Sequence, residues 1–185
     1  EDVAGKSALI MGFGRIGQRV GALCRALGLR VAAFDPYMER SPVEGVEMVK
    51  DFRAILPETD FLCLHLPSTP ETRDLIGAGE LALLKRGAFV LNCARGGIVD
   101  EDVLCDALES GHLGGAGLDV FAKEPPDTAH RLFRQEKVLL SPHNAALTEE
   151  CAIRMATQAV QNVLDCLDGK LQPRVVMNRR EIGMA

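Results

Sequence analysis

Gly12-Phe13-Gly14-Arg15-Ile16-Gly17 is the stretch on which the reading of the fold turns. It follows Ala8-Leu9-Ile10-Met11, a short and nearly continuous apolar run of the kind that becomes a strand buried on both faces. After it, Ile16, Val20, Leu23, Cys24 and Leu27 recur at three- and four-residue steps and form one apolar helix face, which Gly28 closes. A second apolar run follows, Val31-Ala32-Ala33-Phe34. Between a strand and a helix the three glycines have separate tasks, whereas elsewhere the same spacing serves ordinary turns. Gly12 permits the turn, Gly14 lets the backbone approach a pyrophosphate, and Gly17 lets helix and strand pack closely. The helix N-terminus then offers N–H groups and a positive dipole end to phosphates. Asp35 ends the second run 23 residues after Gly12, where a carboxylate for a ribose belongs. The expectation is a dinucleotide site. An acid at this place favours NAD, because it repels a 2′-phosphate, although Arg40 and Ser41 stand close enough in sequence to meet one.

The alternation continues outward. Val46-Glu47-Met48-Val49, Phe61-Leu62-Cys63-Leu64, Ala88-Phe89-Val90-Leu91, Gly117-Leu118-Asp119-Val120 and Val138-Leu139-Leu140 read as a third to a seventh strand. A helix is predicted from about Asp100 to Ser110, with Asp100 as its cap, acids in its first turn and Gly111 beyond its end. Another is predicted from about Thr148 to Leu167. Its Ala152, Met155, Ala156, Ala159, Val160, Val163 and Leu167 make a continuous apolar stripe. Strands alternating with helices at this spacing predict an α/β fold, a Rossmann-type doubly wound parallel sheet in one domain. That domain is expected over residues 1–170, with a C-terminal tail over 171–185 that has no assigned element.

Composition narrows the function. A chain of 185 residues with 47% hydrophobic and 25% charged residues is an ordinary globular domain. A net charge of −5, with 4% aromatic residues and no Trp, argues against nucleic acid, which needs clustered Lys and Arg. No apolar run is long enough for a membrane span. The six cysteines form no C-x-x-C pair and no metal spacing, which fits a reducing, cytoplasmic compartment and no metal. The chain opens Glu1-Asp2-Val3 without an initiator Met, so it reads as a fragment.

Three further segments fall at strand ends, where doubly wound sheets build their sites. They are Asn92-Cys93-Ala94-Arg95-Gly96-Gly97, Asp119 to Pro125, and Ser141-Pro142-His143-Asn144-Ala145-Ala146. An Arg can hold a carboxylate bidentately, a His can move a proton near neutral pH, and a neighbouring carboxylate stabilises the imidazolium. Singly, Glu124 reads better as a solvated loop acid, while Arg95 reads equally well as a surface residue and His143 as a capping or core histidine. Together, after successive strands, they read as a catalytic set.

The segments GFGRIG, FDPY, HLP, NCARGGIVDE, GAGLDVFAKEP and SPHNAALTEE resemble the D-isomer-specific 2-hydroxyacid dehydrogenase family, from about Lys6 to Gly169. The resemblance implies an NAD-dependent oxidoreductase, in which hydride passes between NAD(H) and a small 2-hydroxy or 2-keto acid. It implies that Arg95 binds the substrate carboxylate and carbonyl, that His143 is the acid/base and that Glu124 is its partner. It places Asp119 on the nicotinamide carboxamide, Arg15 and Ile16 along the pyrophosphate, and Asp35 on the adenosine ribose. His65, Pro67, Cys93 and Ala94 would line the adenine and nicotinamide walls. It also implies pairing as a homodimer and a separate substrate domain, little of which this sequence contains. Two alternatives stay open: an NAD(H)-sensing module of the corepressor branch, and a dehydrogenase of formate or phosphite.

Overall fold

Seven short strands pair edge to edge, all in parallel, in a computed structural model that describes residues 2–179 and 181–183. They are β1 (Ser7–Met11), β2 (Arg30–Phe34), β3 (Val46–Met48), β4 (Phe61–Leu64), β5 (Phe89–Asn92), β6 (Gly115–Leu118) and β7 (Val138–Leu140). Their order across the sheet is β3-β2-β1-β4-β5-β6-β7. β1 pairs Ala8 with Val31 of β2 and with Phe61 of β4, so the chain winds outward from β1 in both directions. This is the doubly wound Rossmann order, with its crevice beyond the carboxyl ends of β1 and β4.

Alternation along β1 sorts the core into two faces. Leu9 and Met11 join Leu62, Leu64, Val90 and Leu118 in one buried cluster, roofed by Leu81 of α2 (Ala78–Leu83) and Leu104 and Leu108 of α3 (Glu101–Glu109). Ala8 and Ile10 join Val31, Ala33 and Cys63 on the other face, under Val20 and Cys24 of α1 (Arg15–Ala26). Helices on opposite faces follow from right-handed crossovers that run left from β1 and right from β4.

Two expectations need correction here. The face that α1 presents to the sheet is not the whole apolar set, because Ile16, Leu23 and Leu27 are exposed. Gly17 and Gly21 are the buried residues of α1. A Cβ at Gly17 would overlap the Gly12 carbonyl, and one at Gly21 would touch the Phe13 ring at 3.1 Å. At Gly17 the helix lies so close that no side chain fits, and at Gly21 a side chain would crowd the Phe13 ring. The second correction is to β6, which ends at Leu118 and leaves Asp119 and Val120 beyond the strand. Its glycines carry no alternation by which to set register, and pairing of Phe89 with Gly115 and Ala116 with Val138 sets it instead. α2, six residues long, was too short to show a period in the sequence.

By contrast, α3 and the last helix, α4 (Glu149–Leu167), begin where local chemistry places them. Asp100 accepts the N–H groups of Asp102 and Val103, and Thr148 that of Cys151. The chain divides into two compact units, 1–143 with the sheet and 144–185 with α4. None of the residues of α4 is buried, and its apolar stripe, Val160 and Leu167 included, is exposed. The expected tail contains a single turn of 3-10 helix at Pro173–Val175, while its Arg180, Met184 and Ala185, like Glu1, lie outside the described residues. No described helix is long and apolar enough to cross a membrane.

Candidate cofactor and active site

At the end of β1 the backbone turns through Gly12, whose φ of 86° is open to glycine and strained for other residues. A Cβ there would press on the His65 carbonyl, so the turn rests directly on the segment after β4. His65 in turn donates its N–H to the Met11 carbonyl at 2.7 Å. Asp35, at the end of β2, reaches back across this turn. One carboxylate oxygen accepts the Phe13 N–H and the other the Tyr37 N–H, each at 2.9 Å. The acid is thereby fixed beside the glycine turn with further acceptor capacity on both oxygens. Ser41 is differently employed, for its hydroxyl bonds the Val43 N–H and carbonyl in a local turn.

α1 starts at Gly14 with no side-chain cap and no acid in its first turn. Nothing lies within 4 Å of the place a Gly14 Cβ would take. Its leading N–H groups therefore face open space with the positive end of the helix dipole behind them. Next to Ile16 a cleft of about 350 Å³ is lined by His65, Leu66, Pro67, Ser68, Cys93, Ala94 and Arg95. The residues expected to line a cofactor wall are thus gathered in one place. His65 Nε2 is buried with no hydrogen-bond partner among the described residues, and burial lowers the pKa of the ring below its ordinary value. A neutral imidazole nitrogen left unpaired costs about 1–3 kcal/mol, and a bound polar ligand removes that cost. The Cys93 thiol is shifted up by burial and by the Asp119 charge, which makes it a lining group and a poor nucleophile. A glycine cradle, an uncapped helix end, a fixed acid and an orphaned nitrogen suit a dinucleotide well.

The second half of the site is built at the ends of β5, β6 and β7. Asn92, buried, folds the turn that carries Arg95: its side chain accepts the Ala94 N–H at 3.1 Å and donates to the Arg95 carbonyl at 3.0 Å. Arg95 itself is exposed and rests one guanidinium nitrogen on the Ala94 carbonyl at 2.6 Å. The next residue, Gly96, packs so tightly that any side chain would overlap the Phe121 carbonyl. Phe121 donates its N–H to one Glu124 oxygen at 3.1 Å, and the other Glu124 oxygen meets His143 Nδ1 at 2.8 Å. The hydrogen bond from His143, then that from Phe121, holds the Glu124 pKa below its ordinary value. His143 takes a left-handed backbone, φ 54°, rare outside glycine. With Nδ1 committed to Glu124, Nε2 is left as the nitrogen that can hand a proton onward. Asp119, 4% exposed, accepts the Ser141 hydroxyl at 2.6 Å.

The turn that bears Arg95 is therefore connected, through Gly96 and Phe121, to the Glu124–His143 pair. The remaining histidines have local work. His112 Nε2 lies 3.0 Å from the Leu81 carbonyl, and His130 accepts the Leu132 N–H. No group of His, Cys, Asp and Glu that could hold a metal occurs among the described residues. Sequence reading passed over Asn92, Gly96 and Ser141 as site residues. Only the first left a signal, an Asn opening a turn.

Comparison with known proteins gives the family and the fold. Residues 1–145 match the family model for the D-isomer specific 2-hydroxyacid dehydrogenase, NAD binding domain. The chain is 39% identical over 177 residues to D-3-phosphoglycerate dehydrogenase of Methanocaldococcus jannaschii, covering 95% of this chain and 34% of that protein. It is 40% identical over 180 residues to glyoxylate reductase of Aeropyrum pernix, covering 95% of this chain and 52% of that one. Among solved structures, the NAD complexed form of the D-isomer specific 2-hydroxyacid dehydrogenase from Lactobacillus delbrueckii ssp. bulgaricus superposes with a TM-score of 0.86. Identity there is 30%, over 96% of this chain and 58% of that chain. The chain thus spans about a third to a half of the length of these relatives. The family-model match over most of the chain shows that it belongs to the D-isomer specific 2-hydroxyacid dehydrogenases, as their NAD binding domain.

Proposed function

We propose that this chain carries the cofactor site and the acid/base set of an enzyme that interconverts a small 2-hydroxy acid and its 2-keto acid. The observation that carries the reading is the 2.8 Å Glu124–His143 pair, joined through Phe121 and Gly96 to the turn that bears Arg95. Relatives named D-3-phosphoglycerate dehydrogenase and glyoxylate reductase support the substrate class.

Gly12, Gly14 and Gly17 shape the cradle, and Arg15 and Ile16 at the head of α1 face the pyrophosphate. Asp35 takes the adenosine ribose. His65, Pro67, Cys93 and Ala94 line the ring walls, and Asp119 takes the nicotinamide carboxamide. When bound, the nicotinamide supplies or accepts the hydride at C2 of the substrate. Arg95 leaves the Ala94 carbonyl to hold the substrate carboxylate by a paired, charge-assisted contact. His143 then protonates the former carbonyl oxygen in reduction and removes that proton in oxidation. Glu124 holds the ring in orientation and stabilises its charged form. Asp35 also sets NAD above its 2′-phosphorylated form, since a carboxylate repels that phosphate. We further place the protein in the cytoplasm, where six free cysteines remain reduced, and as a homodimer.

Titration calorimetry of this chain with NADH, followed by a steady-state panel of 2-keto acids on a protein that joins it to its substrate domain, tests the reading; the chain by itself is expected to turn over at most feebly. Binding, and turnover that His143→Gln abolishes while binding persists, are the expected results. A chain that binds NADH yet leaves turnover unchanged on loss of His143 sinks the assignment of the acid/base.

A further inference from the structure

Among the described residues the buried polar side chains are Thr59, Asn92 and Asp119. Thr59 bonds the nearby Ile55 carbonyl within its own turn. The other two stand at the ends of neighbouring strands, where an apolar residue would be buried at lower cost. Their hydrogen bonds run on from one to the next. Asn92 grips the Arg95 turn at both ends, as described above, and its own carbonyl accepts the Asp119 N–H at 3.0 Å. The Asp119 carboxylate accepts the Ser141 hydroxyl at 2.6 Å. Ser141 donates its N–H to the Leu118 carbonyl and accepts the His143 N–H, both at 3.0 Å. The ladder begins at the backbone of Arg95, crosses the ends of β5, β6 and β7, and finishes at the backbone of His143.

We propose that Asn92 and Ser141 are positioning residues that hold Arg95, Asp119 and His143 in register through this ladder, a role that rests on the function proposed above. The two ends act on different partners. Asn92 shapes the turn of the carboxylate-binding Arg95 and so governs the grip on substrate. The Ser141 hydroxyl holds the carboxylate of Asp119 and so governs the nicotinamide end of the cofactor, while its backbone carbonyl accepts the His143 N–H. A buried carboxylate that loses its hydroxyl donor forfeits a charge-assisted bond and relaxes toward other partners.

The test compares Ser141→Ala, Ser141→Thr and Asn92→Asp with the unaltered sequence, by NADH calorimetry and thermal melting of this chain and by steady-state kinetics on glyoxylate in a protein that joins it to its substrate domain. Ser141→Ala is expected to weaken NADH binding roughly tenfold, the fold-change of one hydrogen bond to a charged group. It should lower kcat more than it moves KM, while Ser141→Thr, which keeps the hydroxyl, stays within roughly threefold of the unaltered chain. Asn92→Asp keeps the acceptor for Ala94 but sets an oxygen against the Arg95 carbonyl. It is expected to raise KM for the keto acid roughly tenfold with little change in NADH affinity. The split between the two ends is what a merely structural role lacks. Lower melting temperatures with NADH affinity and KM unaltered per folded molecule overturn the proposal, and so does a threonine variant no better than alanine. If a protein that joins this chain to its substrate domain binds NADH and reduces no 2-keto acid, the proposed activity fails, and the Ser141 arm is still decided by NADH affinity alone.

Discussion

His143 Nδ1 lies 2.8 Å from Glu124 Oε2, and the other oxygen of the same carboxylate is held by the Phe121 N–H. The carboxylate is gripped from both sides, so it can orient the ring in one tautomer. Glu124→Gln keeps the shape and removes the charge. Its expected effect is a fall in kcat/KM of roughly 10²-fold or more, with NADH affinity within about threefold of the original. Parallel kinetics and calorimetry check it, and equal kcat/KM would show that the pair is a surface ion pair alone.

The same grip has a pH signature. Glu124 has its pKa lowered, first by the His143 bond, so its contribution to stability is present above its ordinary value of 4.5 and is lost as pH falls through the folded value. His65 acts higher on the scale. Burial lowers its pKa from 6.5, so as pH falls through 6.5 the unfolded chain takes up a proton that the folded chain refuses. Stability should decline from that pH downward. Denaturant titrations between pH 7.5 and 5, set against His65→Gln, would reveal it as a slope that the variant lacks.

Asp35 bonds the Phe13 and Tyr37 N–H groups and is proposed to take the adenosine ribose. Asp35→Ser should reduce the preference for NADH over NADPH by roughly tenfold or more, read as the ratio of dissociation constants. A ratio unaltered by the change would remove Asp35 from the ribose.

Gly96 and Gly79 give opposite expectations for one substitution. Alanine at Gly96 would collide with the Phe121 carbonyl, whereas nothing lies within 4 Å of a Cβ at Gly79 in α2. Gly96→Ala should cost about 1–3 kcal/mol of unfolding free energy and raise KM for the keto acid, because the Arg95 turn moves with it. Gly79→Ala should stabilise by about 0.5–1 kcal/mol through helix propensity alone. Urea titration of both variants tests the pair.

What the sequence disclosed follows the range of the interactions concerned. The glycine turn, Asp35 and the helix caps at Asp100 and Thr148 were legible because each rests on neighbours or on one βαβ unit. The Glu124–His143 pairing was legible because a parallel sheet brings its strand ends together. The register of β6 was not, since Gly115 and Gly117 have no side chains to alternate. Nor was the buried side of α1, where closeness to the sheet selects Gly17 and Gly21 over the larger apolar residues. Ser141 and Gly96 were invisible for a third reason. Their partners, Asp119 and Phe121, stand in other loops, and nothing near them in sequence announces the contact.

The left-handed backbone of His143 also bears on how such a protein changes over generations. Asparagine and aspartate tolerate that conformation about as readily as histidine, while branched side chains do not. Histidine codons differ from those of asparagine and aspartate by a single base. The residue proposed to move the proton is therefore one point mutation from side chains that leave the local geometry at ease and would end the proposed chemistry. Descendants that keep the nucleotide cradle and lose turnover lie next door in sequence space, reachable without an intermediate that misfolds.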